Sequence, residues 1–156
     1  MNETFVLDSF AILALLGREP GSQEVANLLR KAQEEETRVL MTWVNAGEVA
    51  YIVERRWGVE RLYTALAVME ATALEVVSVE RELALMAAHI KAEHAIAYAD
   101  AFAAALDLVG RAGEHAVAGA IADLACWASI AAAAAVVDVV QLVHAVVDQT
   151  VAVVVE

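Results

Sequence analysis

The chain has 156 residues, 61% of them hydrophobic, a formal net charge of −12 and a single cysteine. That length suits one domain with a real core, while one cysteine excludes an internal disulfide or a cysteine-built zinc site and points to a reducing compartment. The acidic balance runs against the basic footprint usual for nucleic-acid binders. All ten Lys and Arg lie at or before Arg111, so a polyanion would have to approach the earlier part of the chain.

Thr4-Phe5-Val6-Leu7 reads as a short strand that ends abruptly in Asp8 and Ser9, followed by Ala11 to Leu16 at helical periodicity. Gly17 to Ser22 is a turn holding the only proline, with Ser22 expected to cap the next helix, and Glu24 to Glu36 is an amphipathic helix. Arg38 to Met41 is a second strand, and Thr42 is placed to cap a helix from Trp43 to Trp57. Gly58 breaks it, Val59 to Ala71 forms another helix, and Leu74 to Val79 is β-branched enough for a third strand. Helices then run from Glu80 to about His94 and from Tyr98 to about Val109.

This order is that of an α/β fold with a central parallel sheet covered on both faces, a single domain over 1–156. From Ala116 the composition shifts to long Ala and Val runs; residues 121–147 suit one or two helices and 151–155 a closing strand. The uncharged run from Leu124 to Val137 is shorter than the roughly 20 residues a spanning helix needs. No signal peptide is expected, since Met1-Asn2-Glu3 has no basic region and Asp8 interrupts the apolar stretch. The protein is read as cytoplasmic, with no membrane partner.

Three carboxylates stand out. Asp8 ends the first strand, where α/β sheets place their ligand crevice, although an Asp there also suits a helix N-cap. Glu48 has Val44, Asn45, Tyr51 and Ile52 as its helical neighbours, a largely apolar face. Asp100 lies in the otherwise apolar start Tyr98-Ala99-Asp100-Ala101-Phe102, where the helix dipole alone would also favour it. If all three meet at the carboxyl end of the sheet, their repulsion calls for a cation between them. Oxygen-only ligands suit Mg2+ or Mn2+, and the corresponding chemistry is metal-assisted phosphodiester hydrolysis.

Phe5-Val6-Leu7-Asp8-Ser9-Phe10, Trp43-Val44-Asn45-Ala46-Gly47-Glu48-Val49 and Tyr98-Ala99-Asp100-Ala101-Phe102 resemble, in order and spacing, the three acidic signatures of PIN-domain proteins, in particular VapC-type toxins. The resemblance covers about residues 3–110 and leaves 121–156 as an atypical tail. It implies a three-layer α/β/α PIN-like fold, Mg2+- or Mn2+-dependent cleavage of RNA, a homodimer, and a cognate antitoxin whose tail fills the site. Asp8, Glu48 and Asp100 would then be the catalytic metal ligands, with Ser9 and Thr42 as supporting hydroxyls; Asn45, by its place one turn before Glu48, could support that acid. The family's fourth acid, in a Thr-Gly-Asp segment, would fall at Ala120 in Ala118-Gly119-Ala120; Asp123 and Asp107 are substitutes without the family's spacing. A rival reading follows from that gap: a catalytically weakened PIN-fold protein acting by association.

Arg55 and Arg56 follow Glu48 by two turns and could contact RNA, or simply cap the negative end of their helix. Trp43 and Trp57 are expected in the core or an interface rather than as stacking platforms. The four histidines form no convincing site, and Cys126 reads as an inert buried thiol. No glycine-rich phosphate loop is present.

Overall fold

The structure is a computed structural model and describes residues 3–112. Asp123, Ala120, Cys126 and the elements expected over 121–155 lie outside the described residues. The chain divides into two compact units, the first ending at Val79 and the second beginning at Glu80.

The first unit runs β1 (Glu3–Val6), α1 (Ser9–Gly17), α2 (Ser22–Gln33), β2 (Thr37–Thr42), α3 (Trp43–Trp57), α4 (Val59–Ala71) and β3 (Leu74–Val77). Its three strands are all parallel, in the order β1-β2-β3. The α/β class and the parallel sheet are therefore as expected. β2 is the central strand, and Val39, Leu40, Met41 and Thr42 are all buried, the continuous run that a strand covered on both faces requires. Val39 and Met41 project to one side and join Ile12, Leu29, Val49, Val53 and Met69 in the core. Burying such side chains stabilises the fold by roughly 1.5–3 kcal/mol each.

Local chemistry explains where the elements begin and end. Asp8 caps α1 with extended backbone, its Oδ1 accepting from the Ala11 N–H at 2.8 Å. The helix closes on Arg18 in the left-handed region, whose N–H donates to the Ala14 and Leu15 carbonyls. Ser22 does not cap α2, contrary to expectation: Gly21, at φ 87°, is the N-cap, and Ser22 is already the first helical residue. The positive φ needs glycine, so the turn chemistry places the boundary one residue early. α2 also stops at Gln33 rather than Glu36, with Glu35 at φ 58° and the Glu36 N–H turned back to the Lys31 carbonyl. Three successive glutamates at the negative end of a helix dipole oppose its continuation.

Thr42 caps α3 as expected, and Gly58, at φ 85°, lets the chain turn directly into α4. β3 ends at Val77 instead of Val79 because Val77 is level with Thr42, after which its partner strand has become a helix.

The second unit holds α5 (Arg81–Glu93) and α6 (Tyr98–Ala112), which pack on each other. α5 buries Leu83, Met86, Ala87 and Ile90, one stripe at helical spacing. In α6 every residue from Ala101 to Leu106 is buried, and Tyr98 meets Phe102 edge to face at 4.9 Å. His89 and Glu93 share a face of α5 at 3.8 Å, a surface arrangement. Among the described residues no helix is long and apolar enough to cross a membrane.

Candidate active site

The site is built where β1 and β2 run out into α1 and α3. The Leu7 N–H donates to the Leu40 carbonyl at 2.8 Å, extending the β1–β2 register past the end of the strand. Continuing that register sets Asp8 level with Thr42, so the two helix caps stand side by side. Each cap leaves its strand with extended backbone and meets the N–H three residues on, Asp8 that of Ala11 and Thr42 that of Asn45.

A buried polar network joins the two helix starts. The Ser9 hydroxyl donates to the Asn45 carbonyl at 3.1 Å, and Asn45 Nδ2 donates back to Ser9 Oγ at 3.3 Å. Thr42 Oγ1 accepts from the Asn45 N–H at 3.2 Å and donates to Asn45 Oδ1 at 2.5 Å. Thr42 and Asn45 are 0% exposed and Ser9 4%, where an unmade hydrogen bond would be costly and a satisfied network fixes a single geometry. The three expected supporting residues thus touch one another, and they link α1 to α3 across 36 positions of sequence.

The expected acids fall as follows. Asp8 is half-buried and serves as the α1 cap through Oδ1; a carboxylate offers about four lone-pair sites, so capping and cation binding are compatible. Glu48 is half-buried on the second turn of α3, one turn beyond Asn45 and beside the buried face made by Asn45, Ala46, Val49 and Val53. Asp100 is half-buried in the first turn of α6, within the second unit. Asp107 lies two turns further along the same helix and is buried at 8% exposure.

Among the described residues no three His, Cys, Asp or Glu side chains stand close enough together to hold a metal ion between them. The donor set still fits Mg2+, which keeps several waters and uses one or two protein carboxylates alongside substrate phosphates. Asp8 and Glu48 supply two such hard oxygen donors, on elements that the Ser9–Asn45 bonds fasten together.

Arg55 and Arg56 are exposed in the last turn of α3. Trp43 and Trp57 are not core residues: they are 57% and 44% exposed. Trp43 sits outside the helical stripe of Asn45, Val49 and Val53, whereas Trp57 continues that stripe but is the last residue of α3 and stays open there.

A family model of the PIN domain matches residues 5–108, spanning both units. No curated protein matches the sequence. Among solved structures, the Mycobacterium tuberculosis toxin VapC20 (Rv2549c), described as Sarcin-Ricin loop cleaving, superposes with a TM-score of 0.51 at 20% identity, covering 67% of this chain and 80% of its own. VapBC2 from Rickettsia felis, solved bound to a DNA fragment from its promoter, gives a TM-score of 0.53 at 16% identity, covering 65% and 78%. At such identities the superpositions speak for the fold, while the family match extends over most of the sequence, and the chain belongs to the PIN domain family.

Proposed function

We propose that this protein is a metal-dependent endoribonuclease of the VapC type, the toxin of a toxin–antitoxin pair. It acts in the cytoplasm as a homodimer and is restrained by a cognate antitoxin. The observation that carries this reading is the buried Ser9–Thr42–Asn45 network, which couples the helix bearing Glu48 to the turn bearing Asp8. VapC20 is described as a Sarcin-Ricin loop cleaving toxin, which adds support.

In this account Asp8, Glu48 and Asp100 hold Mg2+ or Mn2+, with Asp123 as a fourth candidate. The ion, when bound, activates water and offsets charge developing on the phosphate. The protein's own part is orientation. The Ala11 N–H fixes the rotamer of Asp8, Asn45 holds the first turn of α3 against Ser9, and Arg55 and Arg56 contact phosphates of the RNA. Single-domain organisation over 1–156 belongs to the same proposal; the family match runs without a break from 5 to 108.

The test is cleavage of a panel of RNAs by the wild type, Asp8→Asn and Ala120→Asp, with Mg2+, Mn2+ or EDTA. Wild-type cleavage that needs the metal and falls about 100-fold or more in Asp8→Asn, the several kcal/mol a metal contributes, is the expected result. Equal cleavage by wild type and Asp8→Asn would refute it. Activity appearing only in Ala120→Asp would instead identify a PIN-fold interaction protein.

A further inference from the structure

On α3 the residues Glu48, Tyr51 and Arg55 follow one another at spacings of three and four, so they share one face of the helix on successive turns. Glu48 is half-buried, Tyr51 is 54% exposed, and Arg55 is exposed and makes no ion pair among the described residues. Among the described residues nothing gives this open aromatic ring, between a candidate metal ligand and an exposed cation, a packing role. At about 1.5 Å of rise per residue, Tyr51 lies about 4.5 Å and Arg55 about 10 Å along the axis from Glu48. That run can follow a short stretch of single-stranded RNA leading away from the scissile phosphate.

We propose that Tyr51 is a base-stacking platform for an unpaired nucleotide of the substrate and that Arg55 takes the phosphate beyond it. The inference rests on the ribonuclease reading and adds to it the residues that would hold the strand beyond the scissile phosphate. The charge pattern favours this occupant. In a chain of net charge −12, the stretch from Glu54 to Arg61 holds three of the ten cations, Arg55, Arg56 and Arg61, against Glu54 and Glu60, a local positive excess. Aromatic stacking tolerates any base because every base has a π face, while the cation tracks the backbone. Tyr51 is thus a positioning residue, acting on affinity and register and not on bond cleavage.

The experiment compares full-length wild type, Tyr51→Ala, Tyr51→Phe and Arg55→Ala. Each is titrated in EDTA with a single-stranded oligoribonucleotide carrying 2-aminopurine, and with its duplex, and then assayed for cleavage in Mg2+. Tyr51→Ala should bind the single strand about 5- to 100-fold more weakly, the range for losing one stacked base. It should also lose the 2-aminopurine quenching and raise KM while kcat at saturating RNA stays near the wild-type value. Tyr51→Phe should behave as wild type, since the ring and not the hydroxyl does the stacking. Arg55→Ala should flatten the salt dependence of log K by about 0.7, one phosphate contact on a single strand.

Unchanged binding and quenching in Tyr51→Ala, with wild-type cleavage intact, would overturn the platform and leave the nuclease reading standing. A shift of Tyr51→Ala from dimer to monomer in sedimentation would overturn it by assigning the face to a second copy of the chain. Tyr51-dependent binding without any cleavage would do the reverse, removing the nuclease and keeping the track. A wild type that neither binds nor cuts RNA would remove both.

Discussion

The central strand β2 carries a polar cross-connection at each end, and the two are built on opposite principles. At its start, exposed Arg38 forms a bidentate pair with Glu75 of β3, at 3.1 and 2.7 Å. At its end, Thr42 enters a neutral network with Asn45 and Ser9 from which solvent is excluded. The charged pair is more than half open to water, at 56% and 52% side-chain exposure, where such pairs contribute little. The neutral network is individually weaker in Coulomb terms, but every broken bond leaves a buried polar atom unmet. In the first unit the buried side-chain hydrogen bonds therefore gather at the carboxyl edge of the sheet, next to Asp8 and Glu48, while the opposite edge carries a solvent-exposed ion pair.

The most damaging way to break that contrast is Asn45→Ala. It removes the side-chain bonds to Thr42 and Ser9 and leaves the Thr42 hydroxyl buried without its acceptor. A loss of about 1–3 kcal/mol in urea unfolding is expected. RNA cleavage should fall about 10–100-fold, as for other groups that orient a metal ligand. Stability unchanged within error would show that the network is incidental.

Arg38→Met is the mild counterpart, expected to cost about 0–1 kcal/mol and less at 1 M salt. Its pH dependence has a definite sign. The hydrogen bond from Arg38, helped by its charge and opposed by partial burial, holds the Glu75 carboxyl below the usual carboxylate range. A carboxylate lowered on folding adds stability above its unfolded pKa and loses it as pH falls through its folded one. The difference between wild type and Arg38→Met should thus be present at neutral pH and vanish in acid. A difference that persists below the carboxylate range would mean that Arg38 acts through packing alone.

These two ends were not equally legible. Asp8 and Thr42 each follow a short apolar run and precede a helical pattern, so both caps can be read from local chemistry, and both are observed. Asp100 falls in the first turn of α6, again as its surroundings suggest. What escapes local reading is whatever depends on a distant partner or an unusual dihedral. The bond from Ser9 to Asn45 joins residues 36 apart, β3 stops where its neighbour stops, and α2 begins after a glycine at positive φ and not at a serine cap. Of the two places expected for Trp43 and Trp57, the core is ruled out by their exposure; for Trp43 helix phase, anchored on Val49 and Val53, already argues against burial, while Trp57 is in phase but ends the helix.

On the proposed reading the carboxylates of Asp8 and Glu48 serve one divalent ion. Titration of full-length protein with Mn2+, followed by the loss of the free-ion paramagnetic resonance signal, measures this without any RNA. Saturable binding by the wild type that is weakened at least tenfold in both Asp8→Asn and Glu48→Gln is the predicted result. Mn2+ affinity that is the same in all three proteins would contradict it.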